Sequence, residues 1–349
     1  MAIITIVGSG MMGSALAFPA AENGNEVRLV GTHLDREIIE NCRKENRHLK
    51  FNKPFPDGVK FYQIEELEVA LDGAQAVISG VSSFGVEWFA EYVIPKLKDG
   101  EIVLSVTKGL LVNEENGFLT TYPEFWEQAA EKSGKKISFN AIGGPCTSYE
   151  LVAHDQTEVA FCGREFKTLE FLKNLLGTEY YHISVTSDIR GLEAAVALKN
   201  GYALGIALTV GLNKKQLGKD SELHYNSQAA IFFEAAKEMQ KLLRLFDAKE
   251  NSYYIGLGDL YVTVYGGRTR LVGILLGEGN DIDEAKAKLQ GVTLESLVII
   301  GRVAKAVKIL IQKDGLKAAD FPLLLHADEI LTEKKPVNIP WDKFTFNDF

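Results

Sequence analysis

Three positions in the chain place a charged side chain among small or apolar residues, where folding alone has no need of it. Lys199 stands in the segment Ala-Leu-Lys-Asn, Asp259 in Gly-Leu-Gly-Asp-Leu, and Arg268 directly after two glycines. A partly buried carboxylate needs a cation or hydrogen-bond donors, and a guanidinium grips a phosphate bidentately. These residues are candidates for binding and protonating an anionic substrate. The alternatives are a structural ion pair for Asp259 and Arg268, and a lysine stem on apolar surface with its ammonium in water for Lys199.

Two lysines are placed where ligands collect or where helices pack tightly. Lys108 follows a predicted strand at its C-terminal end, which is the ligand-binding edge of open α/β sheets, although an exposed loop lysine is the alternative. Lys199 lies in a helical segment that also contains Gly201 and Gly205. Interior glycines cost about 1 kcal/mol each relative to alanine. We therefore expect another backbone to approach this helix closely.

A glycine-rich turn near the start of the chain is typical of dinucleotide binding. The apolar run Ile3–Val7 leads directly into Gly8-Ser9-Gly10-Met11-Met12-Gly13, and a helical pattern follows. In such a turn the first glycine makes the bend, the second lets backbone approach a pyrophosphate, and the third allows the helix to pack closely on the strand. The helix N-terminus adds N–H groups and a positive dipole. These six residues are the predicted cofactor contacts, and a glycine-rich turn without a ligand is the alternative.

The end of the second strand bears on the choice between NAD and NADP, because an acid there holds the ribose 2′-hydroxyl and repels a 2′-phosphate. The sequence reads Arg28-Leu-Val-Gly-Thr-His, and no acid follows until Asp35. Thr32 and His33 could bond a phosphate, and Arg36 could pair with it. We therefore expect NADP or NAD as cofactor, with NADP favoured, although the same residues would suit a plain loop.

The elements that must position these residues follow from the hydrophobic pattern. Through residues 1–186, short apolar runs alternate with helical patterns, which predicts a Rossmann-like, doubly wound, largely parallel α/β sheet. The predicted strands are Ile3–Val7, Val27–Val30, Ala76–Ser79, Ile102–Val106, Ile137–Ile142, Val159–Cys162 and Tyr181–Val185. From there on, helical spacing over 188–212, 226–246 and 295–313 predicts a mostly α-helical second domain. We expect a dinucleotide-binding domain over 1–186, a helical substrate domain over 187–333 and an extended tail over 334–349.

Composition excludes several classes of function. The chain carries 38 Lys+Arg against 47 Asp+Glu, a net charge of −9, which argues against a nucleic-acid surface. The three cysteines, Cys42, Cys146 and Cys162, are widely spaced and fit reduced thiols in a cytosolic protein, and no Cys/His cluster suggests a metal. No uninterrupted apolar run reaches the ~20 residues that span a membrane. We expect a cytoplasmic protein with a small-molecule substrate, and a homodimer through the helical domain is an open expectation.

Taken together, the motifs resemble those of the soluble NAD(P)-dependent glycerol-3-phosphate dehydrogenases, and most closely their prokaryotic and archaeal members. The resemblance runs from Gly8 to about Leu331. It rests on GSGMMGSALA, VTKGL, GGP followed by Glu150, EAAVALKN, GLGDLYVT and YGGR, in the order and spacing of the family. Such a set is far more specific than a glycine-rich turn alone.

The resemblance implies reversible reduction of dihydroxyacetone phosphate to sn-glycerol 3-phosphate, a phospholipid precursor, by hydride transfer from NAD(P)H. It implies Lys199 as proton donor, since a fixed ammonium can stabilise and protonate an oxygen on which negative charge develops. Lys108 matches the second active-site lysine of the family, and Asp259 would orient the pair. The other implied positions are substrate-binding Asn200, Thr263, Arg268 and Thr269, and cofactor-binding Thr32, His33, Ser82, Lys108, Arg268 and Glu295.

Three positions depart from the family pattern. Thr269 stands where asparagine usually follows the arginine of YGGR, Tyr149 lies in the altered segment before Glu150, and Ser296 replaces a glycine. These changes leave open a longer polyol or ketose phosphate, another small phosphorylated 2-hydroxy compound, or a 2-hydroxy acid, as substrate. A non-catalytic nicotinamide-binding sensor is a further alternative, but it would have no use for Lys108, Lys199 and Asp259 together.

Overall fold

The computed structural model describes residues 1–218, 224–290 and 294–344, and the chain divides into two compact units. The first unit comprises Met1–Lys108 and Tyr122–Ile189. The second begins at Arg190 and also contains Gly109–Thr121. The predicted first domain, residues 1–186, had included that short segment, which folds with the second unit instead. The other predicted bounds, at residues 186 and 333, stay predictions.

The first unit is built on an eight-stranded sheet in the order β10-β9-β8-β5-β4-β1-β2-β3. All neighbouring strands are parallel except β8 and β9, which pair antiparallel. The fold class predicted from sequence, a largely parallel doubly wound sheet followed by a helical part, is confirmed. The strands are β1 Ile3–Val7, β2 Glu26–Val30, β3 Val59–Tyr62, β4 Ala76–Ser79, β5 Ile102–Ser105, β8 Ser138–Gly143, β9 Thr157–Cys162 and β10 Tyr181–Thr186.

The strands that sequence reasoning missed are the short or exposed ones. β3 lies at the edge of the sheet, pairs only with β2 and has an exposed lysine, so it has no continuous apolar run. The three-residue strands β6, Leu110–Val112, and β7, Leu119–Thr121, form a separate antiparallel hairpin. The seven predicted strands all form, because each is a buried apolar run of a parallel sheet.

Helices cover the sheet of the first unit. α1 is buried along most of its length, including Ala15, Leu16, Ala17 and Phe18, because it packs against β1 and β2 as well as against α6 and α7. Its apolar residues therefore occupy all sides rather than one stripe. The helices of this unit are α1 Met11–Glu22, α2 Arg36–Glu45, α3 Leu67–Leu71, α4 Val86–Trp88, α5 Tyr122–Lys132, α6 Ser148–Val152 and α7 Phe166–Leu176.

The second unit is helical, as the sequence predicts. Its central element is α8, which is followed by six further α-helices in the described residues and is surrounded by a core of apolar side chains. The helices are α8 Ile189–Leu217, α9 Tyr225–Leu243, α10 Glu250–Gly266, α11 Arg268–Gly277, α12 Ile282–Lys288, α13 Glu295–Gln312 and α14 Pro322–Thr332.

Among the described helices, α8 alone is long and apolar enough to cross a membrane. Its most apolar window is 83% buried inside the protein, which is the behaviour of a core helix. The apolar composition of α8 is therefore explained by its burial on every side.

The glycines of α8 make room for neighbours, but not at the positions where backbone contact is expected. A Cβ on Gly201 would meet the side chain of Ile300 at 3.2 Å, and one on Gly205 would meet that of Leu323 at 2.9 Å. Close backbone approach occurs further along, where a Cβ on Gly211 would lie 2.8 Å from the Cα of Gly277. The expectation of a neighbouring backbone at Gly201 and Gly205 is thus corrected to neighbouring side chains.

The hairpin of β6 and β7 packs on α13. Leu110 and Leu119 are buried in the core of the second unit, and the Arg302 guanidinium donates a hydrogen bond of 2.8 Å to the carbonyl oxygen of Leu110. Gly117 adopts a φ of 77°, and a Cβ there would meet the carbonyl oxygen of Ala306 at 3.1 Å. The tight turn therefore needs glycine both for its backbone angle and for space.

The C-terminal segment follows α14 without a long element. The Asn338 amide donates to Nε2 of His326 at 3.2 Å, and Ile339 is buried. A single 3₁₀ turn covers Trp341–Lys343. The expected tail thus packs on its own unit up to residue 344, and the rest of that prediction, 345–349, lies outside the described residues.

A buried glutamate on α9 caps the start of α14. The Leu323 and Leu324 amides donate to the Glu238 carboxyl group at 2.6 and 3.0 Å, and the Tyr202 hydroxyl donates to it at 3.0 Å. These contacts satisfy first-turn N–H groups that α14 leaves unpaired. Burial raises the pKa of Glu238 to about 8, and the three donors only partly oppose that rise.

We expect Glu238 to make stability depend on pH. The group is protonated in the folded chain up to about pH 8 and ionised in the unfolded chain above about 4.5. Unfolding therefore releases a proton in this window, and the free energy of unfolding should fall with rising pH by up to about 1.4 kcal/mol per pH unit from this group. Denaturant unfolding of Glu238→Gln should show a flatter pH dependence, because glutamine resembles the neutral acid. Glu278→Gln, an exposed acid of the same unit, is the control, and equal slopes in both variants would contradict the assignment.

Candidate functional site

Three glycines allow the start of α1 to pack closely against the sheet. Gly8 follows β1 with a φ of 107°, and a Cβ there would lie 2.7 Å from the backbone of Gly80, which follows β4. A Cβ on Gly80 would lie 2.6 Å from the carbonyl oxygen of Gly8, and one on Gly13 would overlap that same oxygen. Sequence reasoning identified Gly8 and Gly13. It missed Gly80, because a single glycine after a strand is not a motif.

The N-terminus of α1 has the features of an anion-binding site. Gly10 is its N-cap residue with extended backbone, and no side chain caps the helix. The nearest atom to a Cβ on Gly10 is 4.0 Å away, so that position is open, unlike Gly8 and Gly13. Met11 and Met12 begin the helix and are half-buried. Unpaired N–H groups, the helix dipole and an open Gly10 fit the pyrophosphate of a dinucleotide.

Asp35 reaches back from α2 to the glycine-rich turn. Its Oδ2 accepts hydrogen bonds from the amide and the hydroxyl of Thr32, both at 2.8 Å, and from the amide of Ser9 at 3.3 Å. Arg36, which sequence reasoning had offered to a phosphate, instead forms an ion pair with Glu65. An acid therefore lies beside the turn, although none stands at the end of β2 itself.

Two histidines flank this region. The ring of the exposed His33 lies 5.9 Å from that of Trp88. His48 is buried, and its Nδ1 accepts the amide hydrogen of Lys50 at 3.1 Å. Burial lowers the pKa of His48, against the smaller opposing effects of the Ser9 backbone and the Asp35 charge. His48 is therefore a neutral ring beside the turn.

Lys108 lies at the C-terminal edge of the sheet, as predicted. It follows β5, and its Nζ donates to the carbonyl oxygen of Gly144, just after β8, at 3.1 Å. The Thr107 hydroxyl donates to the carbonyl oxygen of Val81 at 2.7 Å, which ties the same loop to the end of β4. Ser82, the next residue, is exposed. The loops after β4, β5 and β8 thus meet at one edge of the first unit.

In the second unit, Lys199 and Asp259 form a buried ion pair. The Lys199 ammonium donates to Oδ1 of Asp259 at 2.8 Å and to the Thr263 hydroxyl oxygen at 2.6 Å. Lys199 is 9% exposed and Asp259 is 1% exposed. The Thr263 hydroxyl in turn donates to the carbonyl oxygen of Asp259 at 2.8 Å. Three predicted site residues are therefore in direct contact.

Helical spacing and small residues produce this contact. Asp259 and Thr263 are four residues apart on α10 and share a face. A Cβ on Gly256 would lie 2.7 Å from the Cβ of Ala195, so α10 and α8 approach closely one turn before the ion pair. Lys199 is one turn beyond Ala195 on the same face of α8. The small residues of the two motifs are what bring the ammonium within reach of the carboxylate.

Arg268 begins α11 and stays largely exposed. Its Nη2 lies 3.7 Å from Oε2 of Glu295, the first residue of α13, with the two side chains 56% and 25% exposed. Thr269 is buried beside it, and Asn200 is half-buried next to Lys199. Of the altered positions, Tyr149 is exposed and Ser296 is buried. The Glu150 carboxylate accepts a hydrogen bond from the Thr147 hydroxyl at 2.6 Å, and that hydroxyl accepts the Glu150 amide as the N-cap of α6.

The predicted residues are divided between the two units. The first unit holds the glycine-rich turn with Thr32, His33, Ser82 and Lys108, and the second holds Lys199, Asn200, Asp259, Thr263, Arg268, Thr269 and Glu295. Within the described ranges, no three His, Cys, Asp or Glu side chains are grouped to hold a metal ion.

Comparison with known proteins identifies a family for both units. Residues 3–167 match the family model described as the N-terminus of NAD-dependent glycerol-3-phosphate dehydrogenase, and residues 188–341 match the model of its C-terminus. The two matches cover most of the chain in the order expected for one protein.

Individual relatives agree with this match. The chain is 35% identical over 290 residues, 82% of its length, to the NADP(+)-dependent glycerol-3-phosphate dehydrogenase of Archaeoglobus fulgidus, of which it covers 84%. It is 27% identical to the glycerol-3-phosphate dehydrogenase [NAD(P)+] of Leuconostoc citreum, covering 97% of this chain and 95% of that one. The solved structure of glycerol-3-phosphate dehydrogenase from Coxiella burnetii superposes with a TM-score of 0.77 at 25% identity, covering 98% and 97% of the two chains.

Two alanine substitutions in the glycine-rich turn should have different effects. Gly10→Ala has space in the folded chain but places a methyl group where a pyrophosphate would approach, so we expect unchanged thermal stability and at least about tenfold weaker NADPH and NADH binding. Gly13→Ala overlaps the Gly8 carbonyl oxygen and should lower the melting temperature by several degrees. Calorimetry and nucleotide titration of both variants test this, and a destabilised Gly10→Ala or a fully stable Gly13→Ala would contradict the geometry.

Proposed function

Because the chain belongs to the NAD-dependent glycerol-3-phosphate dehydrogenase family, we propose that its reaction is the reversible reduction of dihydroxyacetone phosphate to sn-glycerol 3-phosphate, with Lys199 as proton donor. The observation that carries this proposal is the buried contact of Lys199 with Asp259 and Thr263. A buried ion pair is a weak source of net stability, which favours a chemical role for this lysine. The expected preference for NADP over NAD stays a prediction.

Lys199 is the group placed to act on the reacting oxygen. The bound cofactor supplies the hydride, and negative charge develops on the carbonyl oxygen of the substrate as its carbon is reduced. The Lys199 ammonium stabilises that charge and transfers a proton to the oxygen. In the reverse direction the neutral amine takes the proton from the substrate hydroxyl.

The neighbours of Lys199 fix its position. Asp259 compensates the buried charge, and the Thr263 hydroxyl oxygen accepts a further hydrogen bond from the ammonium. Preorganisation of this kind means that the side chain need not reorient during the reaction. Asn200, adjacent on α8, points about 100° away around the helix axis and would bind a different substrate oxygen.

Charge on other segments supports binding of an anionic substrate. We assign Arg268, exposed at the start of α11, to the substrate phosphate and the cofactor, with Thr269 beside it and Glu295 restraining the guanidinium. We assign Lys108 a second positive charge for the same reaction. Thr32, His33 and Ser82, at the ends of β2 and β4, are assigned to the cofactor.

We also propose a cytoplasmic location and a homodimeric assembly for this protein. All three cysteines lie in the described part of the chain and none forms a disulfide, which fits a reducing cytoplasm. A homodimer through the helical unit is the assembly we propose, and Tyr254, Tyr261 and Tyr265 expose large aromatic surface on α10 of that unit. Sedimentation equilibrium of the purified protein measures the mass directly.

Replacement of Lys199 should abolish turnover without abolishing nucleotide binding. With dihydroxyacetone phosphate as acceptor, oxidation of NADPH and NADH by Lys199→Met should fall by about 10³-fold or more. The single variant removes one partner of a buried ion pair, at a cost of about 3–5 kcal/mol, so Lys199→Met/Asp259→Asn is measured beside it. Lys305→Met, an exposed lysine of α13, is the control. Turnover within tenfold of the wild type in a folded Lys199 variant would refute the assignment.

Replacement of Arg268 should affect phosphorylated substrates selectively. We expect Arg268→Ala to raise KM for dihydroxyacetone phosphate by about 10- to 100-fold, because charge-assisted hydrogen bonds are lost. The KM for unphosphorylated dihydroxyacetone should change little, and so should both values in Arg244→Ala, an exposed arginine of the same unit. An equal rise in KM for both substrates would show that Arg268 does not bind the phosphate.

A further inference from the structure

Asp35 directs its carboxylate away from the helix that it begins. It occupies the N-cap position of α2, where an aspartate usually accepts the amides of the first turn and stabilises the helix by about 1 kcal/mol. No such bond forms here. The carboxylate turns back instead, and its Oδ2 takes the two Thr32 donors and the Ser9 amide of the glycine-rich turn. The Asp35 carboxylate therefore does not cap α2 and lies beside the glycine-rich turn instead.

Two basic residues beside Asp35, Arg36 and His48, do not offset its charge. Arg36 is engaged by Glu65. The buried His48 ring, which faces Ser9 and Asp35, is kept neutral because burial lowers its pKa. Neither of these groups can balance Asp35 and a second anion at once.

Asp35 also retains capacity for a ligand. Among the described residues, its three hydrogen bonds all reach Oδ2, whereas a carboxylate offers about four acceptor sites over its two oxygens. Oδ1 can therefore accept a hydroxyl hydrogen. A phosphate group in the same place would bring close to two negative charges against an ionised acid.

We propose that Asp35 is the residue that sets the choice between the two nicotinamide cofactors, by accepting the 2′-hydroxyl of the adenosine ribose of NAD(H) and opposing the 2′-phosphate of NADP(H). The inference rests on the nucleotide-binding part of the proposed function and not on the identity of the substrate. Counted along the chain, the end of β2 lacks an acid, which is why the sequence favours NADP. In space, Asp35 supplies that acid from the start of α2.

The test is direct titration of the full-length protein with NADH and with NADPH, followed by nicotinamide fluorescence. In Asp35→Asn we expect the ratio of the two dissociation constants to shift towards NADPH by at least about tenfold, which corresponds to about 1.4 kcal/mol. NADH should bind more weakly and NADPH more tightly. Glu37→Gln removes the same charge on the exposed first turn of α2 and should leave the ratio within about twofold, since solvent and salt screen that position.

Two results of this titration would overturn the proposal. An unchanged ratio in Asp35→Asn, or an equal loss of affinity for both cofactors, overturns the proposal, because Asp35 would then only shape the turn. Asp35→Ser, which keeps a hydroxyl oxygen near the Thr32 amide without the charge, replaces Asp35→Asn if the latter does not fold. Binding is measured without substrate, so a protein that shifts its ratio but does not reduce dihydroxyacetone phosphate would refute the proposed reaction and leave this inference standing.

Discussion

A buried ammonium needs an anion within hydrogen-bonding distance, and the ion pair of Lys199 with Asp259 imposes that condition on the second unit. The two side chains come from different helices, so α8 and α10 must lie close enough for a lysine stem to bridge them. Gly256 and Ala195 make this distance possible one turn earlier, where any larger side chain would separate the helices. The apolar, small-residue character of both motifs is thus a requirement of the ion pair as much as of the core. Removing either partner of a buried ion pair is strongly destabilising.

The first unit depends on a steric condition of the same kind. Gly8, Gly13 and Gly80 come from the ends of β1 and β4 and from α1, and each occupies space that a Cβ of another would need. Because these glycines are in contact, the N-terminus of α1 lies at the C-terminal edge of the sheet. Lys108 and Gly144 meet at the same edge. The packing of these glycines therefore determines where the N-terminus of α1 can bind an anion, independently of any charged side chain.

The sequence predicts the fold well, its site assignments stay predictions, and its errors have physical causes. Buried strands and long helices leave a hydrophobic period, so the seven predicted strands and the helices around 188–212, 226–246 and 295–313 are found. β3 and the hairpin strands are too short or too exposed to leave one. Among site residues, Lys199, Asp259 and Thr263 share motifs with strict spacing, and the structure brings them together. The position of Asp35 beside Ser9 depends on how a loop folds back, which hydrophobic periodicity does not encode.

The hairpin of β6 and β7 has a consequence for how the chain is synthesised. It is translated in the middle of the first unit, yet Leu110 is held by Arg302, and 192 residues separate them. Such long-range contacts form late, because the entropy of closing a long loop is lost before the contact gains anything. During translation Leu110 and Leu119 therefore stay without their final packing partners until α13 has left the ribosome. Exposed apolar residues of this kind are where chaperones bind and where premature association begins, so the growing chain is most vulnerable over its second half.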